Sequence, residues 1–367
     1  MQRCRSIAKS AASPHESGAM RNILVIKLRY VGDVLLATPV LRALRDRFPD
    51  ARITMAVNAG TEDVLRWNRD LDEVMVLRRG GLREELRFLR DLRRRKFDLV
   101  IDLTDGDRPA FLSRWTGAAT RIGFNREERW RGAFYTSVVG PTPDLHRIDR
   151  NLEALRPLGI EPKAATPELR LSAEEDQHAA GLLREVGAAD TRGRITRPLI
   201  MLHPGARYWF KSWPIERFAA LADRLVDTYG GRVLIGGSEQ DQTAASGIAG
   251  AARSTPINLA GRAGLLTFAA IVKQCAVFVG NDNGALHVAA AVGTPVVGLF
   301  GPSNPREWGP RGDRVAVLYK GLDCRACFHP TCERGEGNCM RQISVDEVFA
   351  AAAPFLAMET PSAHVDR

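Results

Sequence analysis

The chain has 367 residues, room at roughly 150 residues per domain for two units with cores of their own, which excludes a small scaffold held by disulfides or metal. Hydrophobic residues make up 45% and charged residues 26%, with 33 Gly and 20 Pro, so neither wholesale disorder nor a fibrous repeat describes it. Lys plus Arg number 52 against 43 Asp plus Glu, a formal charge of +9, which biases binding toward phosphates, nucleic acid or an anionic membrane without choosing among them.

The run closest to a membrane span, residues 284–301, is interrupted by His287, Gly293, Thr294, Pro295 and Gly298, so no transmembrane helix is expected. Residues 1–19 carry Arg3, Arg5 and Lys9 but no continuous apolar stretch of the kind a secretion signal needs. They are read as a disordered lead or an over-called start, because Met20 directly precedes a strand-like run. The chain is expected in the cytoplasm, with its six cysteines reduced.

Residues 23–26 form a short apolar run, and Val31-Gly32-Asp33 opens a helical periodicity that lasts through Leu44. Strand patterns follow at 52–57, 73–77 and 99–103, with helical patterns at 61–67 and 82–95 between them. Such alternation implies a parallel, doubly wound sheet. From 141 to 180 the pattern gives way to Pro143, Pro157, Pro162 and Pro167 among mixed charges, which reads as a linker. A second series restarts with strands at 198–202 and 232–237 around a helix at 215–229. It continues with a strand at 275–279, a helix at 284–292, a strand at 295–300 and a last helix at 345–356, before a frayed tail. The expected organisation is a lead at 1–20, Rossmann-like domains at 21–165 and 166–343, and a C-terminal helix and tail at 344–367. Two such α/β domains in tandem face a cleft across the carboxyl ends of their strands.

Asp33 sits where the first strand hands over to its helix, and is either a capping residue or a carboxylate placed to accept a proton. Lys27 and Arg29, at the end of that strand, read as cleft or surface charges. His203-Pro204-Gly205-Ala206-Arg207 and the following Lys211 offer cationic donors that suit a diphosphate, or else form a solvated basic loop. A P-loop is excluded because Phe210 stands where the glycine before the lysine belongs. The turn Asp282-Asn283-Gly284 lies between an apolar strand and an Ala-rich helix, so its amides and the helix dipole make an anion site. His287, one turn in, either donates to a phosphate or sugar oxygen or is a core histidine. Gly236-Gly237-Ser238-Glu239 permits close approach of a nucleotide, with Glu239 available to ribose hydroxyls.

Two further features stand apart. Nine Arg or Lys residues lie between Arg78 and Lys96, with Leu82, Leu86 and Leu89 on one helical face. This is either a solvated helix packed on its sheet or a contact for an anionic membrane or phosphorylated acceptor. Cys324, Cys327, Cys332 and Cys339 fall within sixteen residues, with His329 among them, a cluster suited to structural zinc or iron.

Taken together, Lys27-Leu28-Arg29-Tyr30-Val31-Gly32-Asp33 with Pro39, His203-Pro204-Gly205, Lys211-Ser212-Trp213-Pro214, Asp282-Asn283-Gly284 with His287, and Gly298-Leu299-Phe300-Gly301-Pro302 resemble the ADP-heptose:lipopolysaccharide heptosyltransferases, glycosyltransferase family 9. The resemblance runs from about residue 21 to 356, and residues 207–213 with the cysteine cluster look more like the heptosyltransferase III branch. It implies the GT-B fold, with the acceptor on the first domain and the nucleotide sugar on the second, and inverting transfer without a metal. It assigns Asp33 as general base, and Lys211 with the amides of Asp282, Asn283 and Gly284 as stabilisers of the diphosphate, assisted by His287. Lys27, Gly32, His203, Gly205 and Arg207 complete the substrate-binding set, and Glu239 approximates a ribose-binding acid. The implied partners are ADP-L-glycero-D-manno-heptose and the lipopolysaccharide core at the inner membrane surface.

Cysteine clusters also occur in related heptosyltransferases that modify autotransporter proteins, which keeps a protein acceptor as the alternative. A nicotinamide-dependent dehydrogenase is disfavoured, since no G-x-G-x-x-G follows the first strand. Only net charge suggests a nucleic-acid partner, and none is expected.

Overall fold

The computed structural model describes residues 20–78, 80–142, 144–324, 327 and 332–357. The expected lead and the tail beyond 357 lie outside these residues. The apolar runs become parallel strands covered by helices, as runs rich in Val, Ile and Leu require when both faces are buried. The first sheet contains β1 (Asn22–Lys27), β2 (Arg52–Asn58), β3 (Glu73–Leu77), β4 (Leu99–Asp102), β5 (Thr120–Phe124) and β6 (Ser137–Val139), in the order β3-β2-β1-β4-β5-β6. The second contains β7 (Leu199–His203), β8 (Arg232–Ile235), β9 (Ile257–Asn258), β10 (Val277–Asn281), β11 (Val296–Phe300) and β12 (Val315–Tyr319), in the order β9-β8-β7-β10-β11-β12. Both therefore share one doubly wound order, which reverses between β1 and β4 and again between β7 and β10. Crevices for ligands open at such reversals. The expected α/β architecture of two tandem Rossmann-like sheets is what forms.

The first lobe carries α1 (Val31–Leu35), α2 (Thr38–Arg47), α3 (Leu82–Arg94), α4 (Asp107–Thr116) and α5 (Arg147–Glu153). The second carries α6 (Ala173–Glu185), α7 (Ile215–Tyr229), α8 (Gln242–Ala251), α9 (Leu265–Lys273), α10 (Gly284–Ala291), α11 (Pro305–Trp308), α12 (Cys339–Gln342) and α13 (Val345–Ala357). Three expectations change. The periodicity from 31 to 44 is broken into α1 and α2, because Pro39 is tolerated only in the first turn of a helix and enters at the start of α2. The helical pattern at 61–67 yields only a 3₁₀ turn, Glu62–Leu65. The expected linker at 141–180 contains α5 and the first half of α6, leaving 160–172 as the irregular stretch.

A capping box starts α6: the Ser172 hydroxyl accepts from the Glu174 amide and Glu175 accepts from the Ser172 amide at 2.9 Å. Glu175 also accepts from the indole of Trp67 at 3.2 Å, tying this second-lobe helix to the first lobe. The two lobes share core as well. Leu266, Ala269 and Val288, from α9 and α10, are buried in the same apolar cluster as Val34, Leu35 and Leu65 of the first lobe. Each such leucine contributes about 1.5–3 kcal/mol through burial.

The helices α1 and α10 meet end to end through two glycines. A Cβ on Gly32 would lie 3.2 Å from the Gly284 Cα, and one on Gly284 would lie 3.3 Å from the Gly32 amide nitrogen. Gly284→Ala is therefore expected to cost about 1–3 kcal/mol through overpacking, read as a lowered urea midpoint. A variant with the wild-type midpoint would show that this contact accommodates a methyl group.

Candidate active site

The two crevices merge into one cavity of about 1090 Å³ lined by residues of both lobes, larger than the 300–1,000 Å³ that holds a single drug-sized ligand. Asp33, in the first turn of α1, lines it. Tyr30 is the N-cap of that helix, so Asp33 is not the capping residue, and its carboxylate has no hydrogen-bond partner among the described residues. Gly32 lines the cavity beside it and makes the glycine contact above.

Lys27, at the end of β1, is buried and donates to the Leu103 carbonyl at 2.8 Å and to Asn151 Oδ1 at 3.3 Å. Burial lowers its pKa to about 8, against the opposing attraction of Asp33. Asp102, at the end of β4, is also buried and raised to about 6, although Tyr135 donates to it at 2.5 Å and Thr104 at 2.8 Å. Arg147 and Arg150, on α5, face the same space, and burial with mutual repulsion lowers Arg147 to about 10. Neither arginine was anticipated. They lie in the stretch read as a linker, where no periodicity marks them.

In the second lobe, His203 is buried at the end of β7, between the rings of Phe268 and Phe278, and burial lowers its pKa. Asn281, wholly buried at the end of β10, donates to the Pro204 carbonyl at 2.7 Å and accepts from the Trp213 amide at 3.1 Å. One amide thus pins both ends of the basic loop 204–213. Within that loop Gly205 and Arg207 line the cavity, and the Arg207 guanidinium lies 3.6 Å from the ring centroid of Tyr30. This cation–π contact bridges the lobes, and Tyr30 is a cleft residue that the sequence reading left without a role.

The α10 terminus departs from expectation. Asp282 contributes no free amide, because its N–H donates to the Leu299 carbonyl at 3.1 Å. Its carboxylate instead accepts from Lys211 Nζ at 2.6 Å. Asn283 caps the helix, accepting from the Ala285 and Leu286 amides at 2.9 and 3.2 Å, while its Nδ2 donates to the Gly205 carbonyl at 2.5 Å and lies 3.1 Å from His203 Nδ1. The helix end therefore spends most of its donors on the protein. The Asn283 and Gly284 amides are left without a partner among the described residues.

His287 is buried on the cavity wall and its Nδ1 has no hydrogen-bond partner among the described residues. Burial pushes its pKa down to about 4, so its ring is neutral at pH 7. Glu239 departs from expectation as well. It is exposed and lies against Gly261, whereas Ser238, Gln240 and Asp241 line the cavity. Asp241 stabilises its own turn by accepting from the Ser238 amide at 2.8 Å. The strand-end glycines pointed to the right turn but not to the side chain that faces inward.

The cysteine cluster lies away from this cavity. Cys324 is exposed and takes a hydrogen bond from Arg334 at 3.0 Å, while Cys327, Cys332 and Cys339 are half-buried free thiols. Burial, with neighbouring sulfurs, raises the Cys327 and Cys339 pKa values. Among the described residues no three His, Cys, Asp or Glu side chains converge on a metal position. The placement does not support the expected structural zinc or iron at Cys324, Cys327, Cys332 and Cys339, and His329 lies outside the described residues.

The histidine has a consequence for stability. Between pH 6.5 and about 4 the unfolded chain protonates this imidazole and the folded chain does not, so stability falls as pH drops through that window. His287→Gln is expected to give a shallower loss of the urea midpoint from pH 6.5 to 4 than the native chain, His146 and His203 supplying what remains. An unaltered slope would mean that the ring is already solvated.

The family model for glycosyltransferase family 9 (heptosyltransferase) matches residues 85–336. A curated relative, lipopolysaccharide heptosyltransferase 3 of Escherichia coli K12, is 29% identical over 349 residues, covering 92% of this chain and 98% of the relative. The solved structure of E. coli ADP-heptose lipopolysaccharide heptosyltransferase II superimposes with a TM-score of 0.75 at 25% identity, covering 92% of this chain and 99% of that one. The iron-containing dodecameric glycosyltransferase TibC from E. coli reaches a TM-score of 0.57 at 15% identity, over 93% of this chain and 77% of that one, and shares the fold alone. Two lobes of the same winding, a cleft closed by paired glycines and a match across more than half its length place one conclusion beyond the motifs: this chain belongs to glycosyltransferase family 9, the heptosyltransferases.

Proposed function

We propose that the protein transfers heptose from ADP-L-glycero-D-manno-heptose to the inner core of lipopolysaccharide, with inversion at the anomeric carbon. The curated relatives along nearly the whole chain are lipopolysaccharide heptosyltransferases, which supports this acceptor over a protein. The observation that carries the mechanism is the opposition of Asp33, unpartnered on the first lobe, to Lys211 and the α10 terminus on the second. In this reading the first lobe, residues 21–165, holds the acceptor and the second holds the nucleotide sugar.

Asp33 takes the proton from the acceptor hydroxyl as that oxygen attacks the anomeric carbon, and ADP leaves from the opposite face. Negative charge then grows on the diphosphate. The Asn283 and Gly284 amides are oriented for it before the reaction begins, which is the form of stabilisation that costs least reorganisation, and Lys211 joins them by exchanging its Asp282 partner for the diphosphate. His287, neutral and with a free ring nitrogen, supplies a further hydrogen bond. Asp241, rather than Glu239, is the acid on the cavity wall for ribose hydroxyls. The transfer requires no metal step.

Asp33→Asn is expected to lower turnover by about 10²–10⁴ with ADP binding by calorimetry retained, assayed as ADP release with heptose-deficient lipopolysaccharide. Native turnover in this variant would remove Asp33 from the mechanism. Lys211→Met should instead weaken ADP binding and turnover together, because it removes a charge that both the ground state and the transition state use.

A further inference from the structure

Helix α3 buries Phe88 and Leu92 against the first sheet, and these account for its attachment to the fold. At 100° per residue, Leu82, Leu86 and Leu89 form a second apolar stripe beside that buried face. Arg83, Arg87, Arg90 and Arg94 form a third stripe on the outer side. Leu82 is 73% exposed and Leu86 55%, so these two stand outside the core, while Leu89 packs partly against it.

The neighbouring helix extends it. Trp115 of α4 donates through its indole to the Leu89 carbonyl at 2.9 Å, and Phe111 stacks on Trp115 with centroids 5.8 Å apart. Arg108 pairs with Glu85 at 2.8 Å, holding the other ends of the two helices together. Phe111 and Trp115 are each 43% exposed. The result is an exposed ridge of leucine and aromatic side chains with arginines along its flank.

Some surface arginines are held by acids, as Arg42 is by Asp70 at 2.8 Å and Arg156 by Glu153 at 2.6 Å. Among the described residues Arg83, Arg87 and Arg94 have no acidic partner, and Arg90 reaches only Asp91 at 3.9 Å. A solvated helix has no use for the leucines, and a nucleic acid would use the arginines while leaving the leucines in water. Apolar side chains beside unpaired cations complement one surface in both respects, that of a bilayer with anionic headgroups.

We propose that the α3–α4 ridge docks the protein on an anionic phospholipid bilayer, with Leu82, Leu86, Phe111 and Trp115 at the headgroup boundary and Arg83, Arg87, Arg90 and Arg94 on lipid phosphates. Asp105, which lines the cleft, lies two residues before α4, so the docked face and the cleft belong to one rigid lobe. The inference stands on this surface and not on the chemistry assigned to the cleft. Among the described residues no helix is long and apolar enough to cross a membrane, so the association is a surface one.

Flotation of the full chain with vesicles tests it. Vesicles of phosphatidylethanolamine and phosphatidylglycerol should retain the protein, added salt should weaken retention, and phosphatidylcholine vesicles should bind at least about tenfold less. Each basic residue near an anionic surface is worth roughly fivefold, so Arg87→Glu with Arg94→Glu should lose more than tenfold in partition. Leu82→Ser with Leu86→Ser should lose the part of the binding that survives high salt. Both pairs are exposed, and unchanged melting temperatures would show that they fold. Native partition by the charge-reversed protein, equal binding to phosphatidylcholine, or retention on nonspecific DNA with none on anionic vesicles would each overturn the proposal.

Discussion

Two helix termini from different lobes can meet only where neither carries a side chain, and Gly32 against Gly284 is that place. A helix N-terminus exposes unpaired amides and a partial positive charge, so bringing two of them together concentrates that field on one point. Asp33 is the carboxylate set into it from the first lobe, and Lys211 with Asp282 is the ion pair set beside it from the second. The remaining interlobe contacts keep this approach in register. His146 lies 2.8 Å from the Gly309 carbonyl, Arg311 pairs with Asp149 at 2.9 Å, and Arg147 stacks 3.9 Å from the Trp308 ring centroid.

The cleft is expensive to build. Lys27, Asp102, His203 and His287 are buried ionisable groups, and burial shifts each toward its neutral form. Hydrogen bonding offsets part of this. Lys27 holds the ends of β1 and β4 to α5, while Asn281 and Asn283 fix the loops after β7 with amides that carry no charge to desolvate. These asparagines hold the loop that carries Lys211 in shape.

The outer face of the first lobe follows a different logic. There Arg83, Arg87 and Arg94 are exposed without an acidic partner among the described residues, and Leu82, Leu86, Phe111 and Trp115 are largely uncovered. The α3 and α4 helices that bear this surface are anchored to the sheet by Phe88, Leu92 and Leu112. The lobe that presents Asp33 to the cleft is also the lobe that carries the proposed docking ridge.

Alternating apolar runs and strand-end motifs were enough to read two doubly wound sheets, because a strand buried on both faces must be continuously apolar and its helix must be periodic. Asp33, Lys211 and the Asp282–His287 turn were legible for a related reason: ligand sites in this winding fall at the carboxyl ends of the central strands. The edge strands β6, β9 and β12, and β5 beside one of them, bury too little to leave a pattern. Arg147, Arg150, Tyr30 and Asp241 enter the cleft through contacts between segments distant in the chain. Whether the Asp282 amide is free, whether Glu239 or Asp241 faces inward, and whether four cysteines converge depend on dihedral angles and packing at single residues. Composition and periodicity determine which faces are buried, and only the closed three-dimensional arrangement decides which polar atoms are consumed by the protein and which remain for a ligand.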